Sequence, residues 1–389
     1  MKTKFLLTIL LSFCFCLLYS QVKVRLFTEF NPDYATFTAR SGRFTITCDS
    51  GKLVTVTNGQ PVIIVKYKNR IFLKERNGES ILCDSVGIKG ETGEDYFSLR
   101  INKAGSIVRN YCGDLKCYPD METLLLINCC DIEKYIAGVV KAEGGNGRNE
   151  EYLKTQAVIA RTYTYKYFNK HIIDRYNLCD DIHCQSFSGI VNDSLVMNAV
   201  NHTKGMVIAA SDSVLIISAF HSNCGGETSP SEYVWVTPQL YLKRVVDPFC
   251  KGSRNALWEK KISLSEWTNF LKENGYHDTF IDPAVFNFTQ TFRVPDYVAG
   301  SFSIPLRTLR TGLDLKSTYF SVYAGKDSLL LKGRGYGHGV GLCQEGAMVM
   351  ALKGFKYEEI INFYYFGVKI MKIEETRKSE DEKLTLINH

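Results

Sequence analysis

Several things are missing from this sequence. Beyond the first 20 residues no apolar run is long enough to cross a bilayer, which excludes a helical membrane protein in the mature part. Charge is never gathered into a block. The net +6 comes from lysines and arginines interspersed along 389 residues, so it does not mark a nucleic-acid binder and suits at most a mildly anionic polymer. No GK[ST] follows the glycine-rich stretch near the C-terminus, and the downstream ribose acid of a βαβ unit is missing, so neither a Walker loop nor a dinucleotide fingerprint is present. There is no C-x-x-C pair, and no Ser/His/Asp or Cys/His triad is singled out.

The chain opens with Lys2 and Lys4, then the apolar run Phe5 to Leu18, then small or polar residues around Ser20. That order reads as a secretory signal peptide over residues 1–20, too short and too N-terminal for a dependable span. Phe13 and Phe15 stand where small residues should precede a lipidated cysteine, which argues against Cys14 or Cys16 as a lipid anchor. Two of the 13 cysteines lie in this leader, which leaves an odd 11 for an oxidising compartment and at least one free or metal-bound.

From residue 21 to 126 short alternating stretches such as RFTITC, KLVTVT and PVIIVKY, broken by Gly42 and Asn58-Gly59, predict a β-rich region. Cys112 and Cys117 bracket GDLK at a spacing that favours a small disulfide loop over half a metal site. The pattern then turns helical. Tyr135, Ile136, Val139 and Val140 recur at three- and four-residue spacing, with Glu143 next on the same stripe and Gly144-Gly145 stopping the helix behind it. A carboxyl at the end of a buried face, near the negative end of the helix dipole, suits general-acid chemistry on an ether-like oxygen; an ordinary helix-end glutamate is the plain alternative. Asn149 then caps a second helix with Glu150 and Glu151 in its first turn and Leu153, Ala157, Ala160, Thr164 and Phe168 along its inner face. Gln156 and Arg161 flank that face, where either could point toward Glu143 and a solvated helix edge is the plain alternative for each.

LCDDIHCQSFSG follows, with Cys179, His183 and Cys184 close together and His171 upstream. Soft ligands this dense suggest zinc, and a Cys179–Cys184 disulfide accounts for the same spacing equally well. Farther on, FHSNCGGET places His221, Ser222 and Cys224 before a Gly-Gly turn, read here as a loop lining a cleft. A helix is expected within Lys261 to Gly275 and strands from Phe286 to Leu331. In LKGRGYGHGVGLCQEGAMVMALKG, glycines alternate with Arg334, Tyr336 and His338, which alternation would send to one face, and Gln344 starts a helix. The charged stretch 373–389 reads as a frayed tail.

YIAGVVKAEGG, LKTQAVIARTY, CDDIHCQSFSG, FHSNCGGET and GRGYGHGVGLCQEGAMVMALKG, in that order, resemble the SpoIID/LytB family of stage II sporulation protein D. The resemblance implies an α+β fold, a β-rich N-terminal region followed by a mixed α/β catalytic domain over 127–372 with an active-site cleft. It implies a peptidoglycan lytic transglycosylase with Glu143 as its single acid, and a structural zinc held by Cys179, Cys184 and a histidine, with His171 in the family position and His183 closer to both cysteines. Gln156, Arg161, His221, Arg334, Tyr336, His338 and Gln344 are the expected substrate-binding residues. The implied setting is exported and wall-associated, with glycan strands as partner, and the LytB half of the name implies a wall amidase as the alternative partner. No second carboxylate stands out for a hydrolase beyond Asp180 or Asp181. Two departures are visible: Cys343 where the family shows serine, and GGNGRN after Glu143 in place of a Met-Pro-like turn.

Overall fold

The computed structural model describes residues 21–376 apart from residues 50, 52, 76, 77, 79, 103, 104, 146, 236 and 278–281. The expected signal peptide and residues 377–389 of the expected tail lie outside the described residues. The fold is α+β with a β-rich N-terminal region. The chain forms two compact units, one of residues 1–146 and 163–204, the other of 147–162 and 205–389.

In the first unit, strands such as Arg43–Cys48 and Leu53–Thr57, with alternating burial, and Thr123–Asp131, buried almost throughout, build two antiparallel sheets. One runs, in spatial order, Leu178–Cys179, Gln21–Arg25, Thr123–Asp131, Asp114–Asp120, Val86–Gly90, Arg43–Cys48 and Leu53–Thr57. The other runs Ile107–Cys112, Tyr96–Ile101, Tyr34–Ser41, Pro61–Tyr67, Arg70–Lys74 and Ser80–Cys83. The sheets meet through Phe37, Phe44 and Phe97, whose ring centroids lie 4.9–5.8 Å apart. Leu178–Cys179 is the exception to antiparallel pairing, adding in parallel to Gln21–Arg25 and so fixing the cysteine loop to the sheet. Asp180 reinforces this join, accepting from the backbone N–H groups of Phe27 (2.6 Å) and Thr28 (3.0 Å) and pairing with Arg109 at 3.0 Å.

The disulfide expected between Cys112 and Cys117 is not formed; both are free and buried. Cys112 ends a strand of one sheet and Cys117 sits within the other, with Gly113 at φ +83° carrying the chain between them.

Helix α1, Ile132–Glu143, is capped by Asp131, whose carboxylate accepts from the N–H groups of Glu133 and Lys134, and it buries Tyr135, Ile136, Val139 and Val140. Helix α2, Glu150–Lys166, begins as its sequence dictates, with Asn149 Oδ1 accepting from Glu151 N at 2.9 Å. Helix α3, Ser194–His202, packs in the first unit with α1.

In the second unit Leu257–Ser263, Ser328–Arg334 and Phe320–Ala324 form a three-stranded sheet whose core includes Trp258, Trp267, Tyr297, Leu309 and Leu331. The helix expected within Lys261 to Gly275 is Leu264–Glu273, capped by Ser263. The strand-like stretch after Phe286 also contains a helix, Leu306–Gly312. A short parallel pair, Phe220–His221 with Leu342–Cys343, brings the FHSNCGG loop against the glycine-rich run. No described helix is long and apolar enough to cross a membrane.

Candidate functional site

Glu143 is the last residue of α1, and the Gly144 N–H returns to the Val140 carbonyl to close the helix. Gly145, at φ +59°, turns the chain away. The glutamate is half-buried rather than enclosed, and its Oε1 accepts from the Ser186 N–H at 2.7 Å. Ser186 belongs to the loop that follows the cysteines, and that loop lies close on α1 because position 138 is glycine. A Cβ there would meet Phe187 Cδ2 at 2.6 Å and the Gly189 carbonyl oxygen at 2.7 Å. Phe187 in turn packs on Tyr135, with centroids 5.0 Å apart, and Gln185 Oε1 accepts from Thr164 Oγ1 at 3.0 Å.

Both histidines left open by the sequence join the cysteines. One donor atom from each of His171, Cys179, His183 and Cys184 lies within 4.8 Å of the others, an arrangement that could hold a metal ion. Cys184 Sγ is 3.5 Å from His171 Nε2 and 3.8 Å from His183 Nδ1, and Cys179 Sγ is 3.7 Å from His183 Nδ1. Metal bonds of about 2.0–2.3 Å in a tetrahedron set N···S edges of about 3.6 Å, so the four side chains fit such a centre. Asp174 Oδ2 stands 3.4 Å from His171 Nδ1, which orients the ring with Nε2 toward the cysteines. The Cys184 thiol is pulled down to about 6, first by its hydrogen bond with Cys179 and against burial, with help from Lys170; Cys179 is pushed up by the same bond. The two cysteines are not disulfide-bonded.

The remaining expected site residues belong to the second unit. Gln156 and Arg161 do not occupy a solvated edge. Both are buried, because this part of α2 is covered on nearly all sides, and Arg161 Nη1 donates to the Met206 carbonyl at 3.1 Å. Arg334 is separated from its two neighbours in the glycine run. Its guanidinium lies 4.2 Å over the Tyr319 ring and donates to the Gln290 carbonyl at 2.8 Å, whereas Tyr336 is exposed. Four glycines of the run, Gly335, Gly337, Gly339 and Gly341, have φ between +72° and +108°, so the chain here is not a strand and simple alternation does not set its faces.

His338 lies edge-on to His221, centroids 5.6 Å apart, and 6.1 Å from Trp235. His338 Nδ1 accepts from the Val340 N–H at 3.0 Å, while His221 Nδ1 faces the Val340 carbonyl at 3.1 Å and must donate to it. That leaves the buried His221 Nε2 as an acceptor with no hydrogen-bond partner among the described residues. Both rings are held neutral: burial, Arg310 and Arg293 push His338 down to about 4, and burial, His338 and Arg293 push His221 well down in the same direction. Gln344 opens helix Gln344–Leu352.

Sequence reasoning passed over the polar lattice beneath this surface. Glu345 accepts from Asn223 Nδ2 and Asn255 Nδ2, both at 2.6 Å. Buried Arg293 donates to the Glu227 carbonyl (2.8 Å), the Cys224 carbonyl (2.8 Å) and Thr318 Oγ1 (3.1 Å). Asn223, Glu227 and Glu345 lie within the sequence motifs, but their partners Asn255 and Arg293 are distant in sequence and no local spacing joins them.

Comparison with known proteins places the arrangement in a class. The sequence model of the stage II sporulation protein family, SpoIID, matches residues 120–209, which span Glu143 and the Cys/His set. An uncharacterised protein of Brachyspira hyodysenteriae is 31% identical over 278 residues, 69% of this chain and 74% of the relative. Stage II sporulation protein D of Bacillus subtilis is 26% identical over 261 residues, covering 62% of this chain and 75% of the relative. A Bacillus subtilis protein named amidase enhancer is 28% identical over 288 residues, 60% of this chain but 40% of that longer protein. The chain belongs to the stage II sporulation protein D family.

Proposed function

We propose that this chain is an exported peptidoglycan lytic transglycosylase with Glu143 as its acid and base. The observation that carries the reading is the tethering of Glu143: its carboxylate ends a rigid helix and is held by the Ser186 N–H, two residues after a cysteine of the Cys/His set. Glu143 as an acid protonates the glycosidic oxygen between N-acetylmuramic acid and N-acetylglucosamine, and as that oxygen leaves with the N-acetylglucosamine, C1 of the muramic residue passes through an oxocarbenium-like state. Glu143 as a base then takes the proton of the muramic C6 hydroxyl, whose oxygen closes on C1 to leave a 1,6-anhydro end. One carboxylate serves both steps. Of the two alternatives for a second, Asp180 is spent on Phe27, Thr28 and Arg109, and Asp181 accepts from the Ile182 N–H at 2.6 Å.

The metal assigned to His171, Cys179, His183 and Cys184 is zinc, and four protein ligands filling a tetrahedron give it a structural role. Bound zinc supplies a fixed anchor for the loop that carries Ser186. Of the residues expected to contact glycan in the second unit, Tyr336 is exposed and Gln344 is partly so, whereas His221 is buried.

A second reading, stimulation of a wall amidase without glycan cleavage, draws support from the relative named amidase enhancer. Digestion of purified, peptide-free glycan strands, followed by mass spectrometry for anhydromuramic ends, separates the two. The transglycosylase reading expects such ends from the wild type and none above background from Glu143→Gln. Absence of product from the wild type, or equal product from both, would overturn it, and a gain in amidase rate on adding either protein would favour the second reading.

A further inference from the structure

A second group of soft ligands lies in the other unit and shares no side chain with the His171 set. Cys224, Asp247, Cys250 and Cys343 are all buried, and one donor atom from each lies within 4.8 Å of the others. They converge from three stretches of chain. Cys224 follows the strand Phe220–His221, Cys343 ends the strand paired with it, and Asp247 and Cys250 come from the segment between. Cys224 Sγ is 3.3 Å from Cys250 Sγ and 3.2 Å from Asp247 Oδ2.

We propose that these four side chains form a second metal centre, a tetrahedral Cys3Asp site for zinc or a cation of its thiophilic class. Three backbone N–H groups are aimed at two of the sulfurs: Gly226 at Cys250 (3.2 Å), and Cys224 and Gly346 at Cys343 (3.3 and 3.4 Å). Donors so placed stabilise thiolates, the form that binds a metal. The carboxylate is oriented from both sides, Oδ2 by the Tyr364 hydroxyl (3.0 Å) and Oδ1 by the Phe249 N–H (2.8 Å). Space is reserved for that arrangement, since a Cβ at Gly346 would strike the Tyr364 hydroxyl and the Asp247 carboxylate.

A zinc tetrahedron has S···S edges of about 3.8 Å and S···O edges of about 3.5 Å, so the Cys224–Cys250 and Cys224–Asp247 edges would open by about 0.5 and 0.3 Å. A Cys224–Cys250 disulfide would use two sulfurs and leave Cys343, Asp247 and their donors without a purpose. Binding is redox-neutral: each thiol gives its proton to solvent as its sulfur becomes a ligand, and of the two negative charges left on three thiolates, one carboxylate and a divalent cation, buried Arg293, which donates to the Cys224 carbonyl, offsets one. The centre would staple the FHSNCGG loop and the 247–250 segment to the N-terminus of helix Gln344–Leu352, where the Cys343 side chain is already the cap.

The test is zinc content and coordination of the full protein, purified anaerobically with thiols reduced and loaded with zinc. About two tightly held zinc ions per chain are expected, with X-ray absorption giving about 2.5 sulfurs per zinc on average, against about 2 if only the His171 set is filled. Cys179→Ser with Cys184→Ser should retain about one zinc, bound by about 3 sulfurs. Cys250→Ser with Cys343→Ser should retain about one, bound by about 2. The wild-type measurement stands even if a variant fails to fold. One zinc with about 2 sulfurs in the wild type, or a Cys224–Cys250 disulfide found by mass spectrometry in the anaerobic protein, would overturn the proposal.

Discussion

Replacing Gly138 by alanine adds one methyl group to α1 at its closest approach to the loop that holds Glu143. The new carbon would lie 2.6 Å from Phe187 Cδ2 and 2.7 Å from the Gly189 carbonyl oxygen, where ordinary contact begins at 3.4 Å. Relief therefore requires about 1 Å of movement. Neither neighbour yields easily. Phe187 is buried against Tyr135 and Tyr111, and Gly189 is backbone held at φ +101° against the Asn110 carbonyl. Overpacking of this kind costs about 1–3 kcal/mol, and the better helix propensity of alanine returns up to about 1 kcal/mol. The net loss of about 1–2 kcal/mol should lower Tm by about 2–6 °C. The larger effect should be functional, because a loop displaced by about 1 Å takes the Ser186 N–H from the Glu143 carboxylate, and such misplacement costs up to about 100-fold in rate. Calorimetry together with release of anhydromuramic ends reads both quantities. A Gly138→Ala protein as stable and as active as the wild type would refute the claim that this close approach positions the acid.

The histidine pair makes stability fall on acidification. Above the ordinary imidazole value of 6.5 both rings are neutral folded and unfolded and contribute nothing; as pH falls below it, the unfolded chain takes up protons that the fold refuses, and the His338 share levels off near 4. His338→Gln should flatten the fall of Tm across that window, and an unchanged slope would show that Arg310 and Arg293 do not hold the ring neutral. Arg293→Ala strips hydrogen bonds from two buried carbonyls and a threonine hydroxyl and should cost about 3 kcal/mol or more in urea unfolding; a loss under about 1 kcal/mol would contradict the burial described.

What the sequence disclosed was whatever repeats locally. Strand alternation located Arg43–Cys48 and Pro61–Tyr67, Gly144-Gly145 marked the end of α1 and Asn149 the start of α2. Pairing was not legible. Nothing in LCDDIH announces that Leu178–Cys179 joins the strand Gln21–Arg25, yet that join helps bring His183 and the cysteines to His171. Gln156 and Arg161 were misplaced because polar residues on a helix read as solvated, whereas Arg161 finds its acceptor at Met206, 45 residues on. The cysteine cluster of the second unit was invisible for the same reason, with Cys224 and Cys343 separated by 119 positions and no spacing rule to join them. The helix Leu306–Gly312, seven residues long, was hidden inside a strand-like pattern.

All eleven described cysteines are buried and none is paired. Until burial is complete, each thiol is open to any oxidant in the surroundings, so maturation becomes a race between collapse and adventitious cross-linking. Once folded, the same burial works in reverse and shields the sulfurs from reagents that would otherwise scramble them. Yield and homogeneity should therefore depend on redox conditions during synthesis far more than on those during storage.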